Sequence, residues 1–175
     1  LSLRSEHNLQ PHEISGVVYV LSRAGMLLVE APAPKKADPR NIVDAQFSAP
    51  FVLSVALATG AMKWDSYELL HDPRIRALLP KIRCEYDPEI EAEFPTNMSG
   101  KLSVQARGRV FVKKVVVPKG EPENFLSDDE LSAKFADLAQ PVLGTAQTAK
   151  LAAAILDIDG LQHLSQLFDL GSVHT

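Results

Sequence analysis

Cysteine is almost missing from the chain. There is one, Cys84, so no internal disulfide can form, and a reducing compartment, the cytoplasm, is expected. Cys84 falls in an alternating apolar pattern and reads as a small core residue rather than a nucleophile. The five histidines, His7, His12, His71, His163 and His174, are scattered. None stands at zinc-ligand spacing from another histidine or the cysteine, so no metal site is assigned. There is no Gly-x-Ser-x-Gly elbow, phosphate-binding loop or dinucleotide fingerprint, and no cofactor or catalytic residue is assigned. Lys and Arg number 18 against 22 Asp and Glu, for a net charge of −4. No basic tract breaks that balance, which argues against a nucleic-acid partner. No apolar run approaches the roughly 20 residues of a membrane span. No charged start followed by an apolar run marks a signal peptide, and no membrane partner is expected.

What is present is local structural grammar. With 46% hydrophobic residues in 175, one domain around one core is expected. Val115–Phe135 carries the clearest signal. A β-branched strand ends at Pro118, a Pro/Gly loop follows, and Ser127 then opens a helix. The Ser127 hydroxyl can accept from the amide three residues on, and Glu130 can reach back to the Ser127 amide, a capping box. Asp128 and Asp129 place negative charge on the positive end of the helix dipole. Leu131, Phe135 and Leu138 form one apolar stripe.

Other segments are read the same way. Leu1–Leu9 resembles the tail of a helix stopped at Asn8, so the chain is expected to be a piece of a longer protein. Val17–Leu21 is a strand, and Met26–Val29 extends or repeats it. The Pro-rich, basic stretch 31–40 is a loop whose Lys35, Lys36 and Arg40 could close over a polycarboxylate. Asp44–Thr59 is a buried helix capped by Ser48, with Pro50 in its first turn and Gly60 as its stop. Asp65–Glu68 opens a short helix, and Asp72-Pro73 another that buries Ile75, Leu78 and Leu79. Asp72 is thereby explained as a cap. Strands are expected at 82–86, 101–106 and 109–117, the last two joined at Arg107-Gly108 as an antiparallel hairpin. Pro141 and Gly144 mark a break before helices at 145–158 and 161–170. The sum is an α+β fold, an antiparallel sheet packed on helices in two layers with C-terminal helices.

Three motifs in series resemble the 2-methylcitrate dehydratase (MmgE/PrpD) family in its C-terminal, small α+β domain. The first is Pro118-Lys-Gly-x-Pro122-x-Asn124-x-Leu126-Ser127-x-x-Glu130-Leu131-x-x-Lys134-Phe135. The second is Asp44-Ala-Gln-Phe-Ser-Ala-Pro-Phe51 before an apolar helix. The third is His71-Asp-Pro-Arg-Ile-Arg-Ala-Leu-Leu79, leading to the strand at 82–86.

The resemblance implies a lyase or isomerase acting on small di- or tricarboxylic acids, by dehydration, decarboxylation or epimerisation. It implies that residues 1–175 form the domain that walls one side of the cleft, the family's N-terminal helical domain being absent from the chain. That larger domain and a segment just before the small one carry the family's acid/base residues. Residues 1–9 do not match that segment, so the chain is expected to be inactive alone. The resemblance places Gln46, Ser48 and Phe51 near substrate, and Lys119 could contact an anion or the neighbouring domain. Many members have Tyr where this chain has Phe51. A homodimer is expected, with 145–170 as the contact. The alternative is a free-standing small-acid-binding or dimerisation module without catalysis.

Overall fold

The computed structural model describes residues 1–31 and 33–173. Pro32 of the expected loop and His174 lie outside them. The chain divides into two compact units, Leu1–Pro118 and Lys119–Thr175.

The first unit is built on a four-stranded sheet in the order β2-β1-β3-β4, with β1 Ile14–Leu21, β2 Ile82–Tyr86, β3 Gly100–Ala106 and β4 Arg109–Val115. The hairpin forms as expected, β3 and β4 pairing antiparallel from Gly100↔Val115 to Ala106↔Arg109. Its two-residue turn has positive φ at both Arg107 (54°) and Gly108 (67°), the twist that suits a hairpin. β3 also pairs antiparallel with β1. The third pairing corrects the expectation of a wholly antiparallel sheet, since β1 and β2 run parallel from Val17↔Ile82 to Leu21↔Tyr86. A parallel neighbour needs a long crossover, and residues 22–81 provide one filled with helices. The fold is α+β.

Helix α1, Ser2–His7, ends at Asn8 in the left-handed conformation (φ 48°). Arg107 ties this end to the hairpin turn, donating to the carbonyls of His7 and Asn8 and pairing with Glu13 at 2.6 Å. The crossover holds α2 Arg23–Val29, α3 Ala33–Ala37, α4 Ile42–Gln46, α5 Ala49–Thr59, a 3-10 turn at Trp64–His71 and α6 Pro73–Leu78. A further helix, α7 Pro88–Glu93, precedes β3.

Four expectations in this stretch are corrected. Met26–Val29 is helix rather than strand, because the Ser22 hydroxyl accepts from the Gly25 amide at 3.2 Å and starts α2. The 31–40 loop contains α3, whose Lys36 carbonyl accepts from the Ser48 hydroxyl. The 44–59 helix is two helices that break at Phe47-Ser48, because Ser48 caps α5 as expected and Asn41 separately caps α4. The turn after Lys63 is closed by Ser66, whose hydroxyl accepts from the Lys63 amide at 2.8 Å, rather than by Asp65.

α5 explains why its sequence is apolar on every side. Leu53 and Leu57 face the sheet, in a core with Leu3, Val17, Ile82, Val104 and Ala106. Phe51 and Val55 face the opposite way, in a second core with Ala45, Leu70, Ile75 and Leu79. A helix sandwiched between two cores can spare no polar face.

The second unit is helical. It contains α8 Asp128–Leu143, α9 Thr145–Leu156 and α10 Ser165–Gly171. The Ser127–Glu130 capping box is formed in both directions, at 3.2 and 2.8 Å. Pro141 does not break α8, which runs on to Leu143. So near the end the proline removes one amide donor only, and Gly144 makes the stop. The last helix begins at Ser165, four residues later than expected. Among the described residues of this unit, Thr148 is the only one fully buried.

Candidate functional site

A cleft of about 370 Å3 opens in the first unit, at the carboxyl end of β1. Three segments build it. β1 contributes Tyr19 and Leu21, and the chain then turns at Ser22 into α2, which adds Leu28 and Val29. The α4–α5 junction contributes Gln46, Ser48, Ala49, Val52 and Leu53. Met98 and Ser99, just before β3, close the remaining side. The local reason for this convergence is capping. Both α2 and α5 begin where a serine hydroxyl takes up a free amide, and both starts face the cleft.

The polar groups here differ in availability. Ser48 is fully buried and its hydroxyl is committed twice, accepting from the Phe51 amide at 3.1 Å and donating to the Lys36 carbonyl. The Ser22 hydroxyl holds the Gly25 amide. The Gln46 carboxamide, half-buried on the same wall, makes no hydrogen bond with the described residues, and neither does the Tyr19 hydroxyl. Burial pushes the Tyr19 phenol above its ordinary range, with a smaller push from Cys84, so it stays protonated. Ser99 stands beside Glu93. The Lys114 ammonium, and after it the Ser99 hydroxyl, hold the Glu93 carboxyl low, although Ser99 Oγ forms no well-shaped hydrogen bond.

Electrostatically the cleft is neutral on its walls and positive at one corner. Among the described residues no charged side chain lines it. The amide end of α5, eleven residues long, adds the partial positive charge of a helix N-terminus. Lys36 lies close by, its ammonium 5.0 Å from the centre of the Phe47 ring, between Gln46 and Ser48 in sequence. The segment bearing Lys36 is held rather than loose. Asp38 pairs with Arg76 and Arg40, and Arg76 also donates to the Pro39 carbonyl at 3.2 Å.

Of the four residues expected near substrate, Gln46 and Ser48 come together in this cleft. Phe51 does not line it. Its ring is fully buried on the far side of α5, stacked on Tyr67 with centroids 6.0 Å apart. Lys119 belongs to the second unit, where its ammonium pairs with Glu130 at 2.8 Å. Tyr19, Ser22 and Met98 escaped the sequence reading. Ser22 had a legible signal, a serine three residues before Gly25 at a strand end. Tyr19 shows only the strand alternation that any core residue would. Cys84, opposite Tyr19 on β2, is half-buried rather than part of either core, and burial, with a smaller push from Glu30, raises its thiol to about 11. Among the described residues no three His, Cys, Asp or Glu side chains gather as a metal site. No helix among them is long and apolar enough to cross a membrane.

The geometry defines an α+β domain with a neutral, helix-capped cleft at the end of its central strand. The MmgE/PrpD C-terminal domain family matches residues 1–159, and the chain belongs to it. No curated protein matches the chain at a significant level.

Proposed function

We propose that this chain forms one wall of the active-site cleft of a cytoplasmic lyase or isomerase of the 2-methylcitrate dehydratase type, acting on small di- or tricarboxylic acids. The observation that carries the reading is the convergence at the α4–α5 junction. An unpaired carboxamide, Gln46, and the amide end of α5 face one cleft, with Lys36 close by. Such a corner suits one carboxylate or one developing negative charge.

Proton removal beside a carboxylate also needs a base, an acid and further cations. Among the described residues the walls carry no base and no further cation, and the Tyr19 phenol is their one protonated group able to act as an acid, so the remaining groups come from another part of the enzyme and the chain is inactive by itself. Ser48 then serves by fixing the start of α5, and Phe51 by anchoring that start in the core. Lys119 meets an anion by exchanging Glu130 for it.

The test is turnover. The 175-residue chain should not convert 2-methylcitrate. Fused behind the family's helical domain it should, with Gln46→Ala lowering kcat/KM about ten-fold, the effect of losing one useful hydrogen bond. Turnover that tracks the purified chain alone would defeat this reading.

A further inference from the structure

The cleft is a poor receptor for a carboxylate anywhere but at its Gln46 corner. Beyond that corner its walls are Leu21, Leu28, Val29, Val52, Leu53 and Met98. The hydroxyls of Ser22 and Ser48 are already spent on capping. Among the described residues three polar groups of the lining are left unpaired, the Gln46 carboxamide and the Tyr19 and Ser99 hydroxyls, and all are uncharged. A carboxylate pushed past them would lose its water and gain no cation, a cost far above that of desolvating a neutral amide or hydroxyl. An aliphatic group meets the opposite conditions, since it gains from every apolar wall it covers. The volume, about 370 Å3, lies in the range of small-molecule pockets.

We propose that this cleft is a subsite for an uncharged aliphatic group carrying at most one neutral polar function, which Tyr19 hydrogen-bonds, while the Gln46 corner keeps the acid's one carboxylate. The proposal rests on reading the cleft as part of a substrate site, and it sharpens the substrate class. The acid that uses it bears an uncharged carbon substituent, and that substituent rather than a second carboxylate occupies the interior.

Methyl-resolved NMR of the full chain tests this with two six-carbon probes, hexanamide and adipate. Hexanamide should give saturable shifts at the methyls of Leu28, Val29, Val52 and Met98. Adipate, charged at both ends, should bind there at least ten-fold more weakly. Leu28→Trp, a change at an exposed rim position, should abolish the hexanamide shifts, and Tyr19→Phe should weaken them several-fold. Adipate binding as tightly as hexanamide overturns the proposal. So does the absence of hexanamide shifts, or their persistence in Leu28→Trp. The outcome is separable from that of the proposed function. Turnover by the fused enzyme with no hexanamide site sinks only the subsite, and a hexanamide site without turnover sinks only the lyase reading.

Discussion

Gly60 shows how one residue can be required twice. It ends α5 with φ 82°, where an L side chain is strained, and a Cβ there would stand 2.5 Å from Arg4 Nη1. Arg4 in turn donates from Nε to the Leu57 carbonyl at 2.9 Å, joining α1 to the last turn of α5. Gly60→Ala should therefore cost about 1–2 kcal/mol, the penalty of the left-handed conformation, before any loss at Arg4. A urea melt with an unmoved midpoint would contradict this.

Asp72 gives a pH-dependent counterpart. The Arg74 guanidinium beside it, with the Arg74 amide, holds its carboxyl down to about 2. The folded-state value is depressed, so the stabilisation is complete above the ordinary Asp range and fades as pH falls toward about 2. Asp72 is half-buried but its partner Arg74 is exposed, so solvent screening keeps the effect modest. Asp72→Asn should make the acid limb of the stability curve shallower in that interval and leave its shape near neutrality unchanged. An identical acid limb in the two proteins would show that the pair contributes nothing.

At the scale of elements, caps decide where helices begin. Ser127→Ala should cost about 1 kcal/mol, read as faster amide exchange in the first turn of α8 and a lower melt midpoint for the second unit. Unchanged exchange there would refute it. The same locality explains what the sequence made legible. Asn8, Ser48, Gly60, Asp72, Gly108, Ser127 and Gly144 each have a cap or turn role within four residues of themselves, and each plays it in the structure as its neighbours implied. Where the signal was not local it misled. Met26–Val29 is apolar and short, a pattern that strand and helix share, and the cap at Ser22 settles it. The parallel place of β2 beside β1 is fixed by packing across some sixty residues, which no window of sequence contains. The site was half legible for the same reason. Gln46 and Ser48 sit at a helix start that the sequence announces, whereas Tyr19 and Met98 reach the cleft only through the sheet.

For the whole molecule, the second unit poses the question of cover. Ile155, Leu156, Leu164 and Phe168 are exposed, Leu156 at 85% and Phe168 at 76%, on helices that bury almost nothing themselves. Apolar surface of this kind is uncommon on monomers, and a symmetric pair would hide each copy's patch on the other. We expect self-association through 145–170. Light scattering should show a mass that rises with concentration and falls to the monomer in Leu164→Glu and Phe168→Glu. A constant monomer mass, indifferent to both changes, would rule it out.

The position of β1 has a consequence for synthesis. It lies at the centre of the sheet, yet both of its neighbours, β2 and β3, come after residue 81 in the chain. A ribosome working at about 5–20 residues per second needs roughly 3–12 s to make the intervening stretch. For that time the nascent segment holding Val17, Val20 and Leu21 has no strand to pair with, and those side chains, fully or nearly buried in the finished fold, stand open to other surfaces. The segment's strand edges and apolar side chains find their partners only as residues 82–106 emerge.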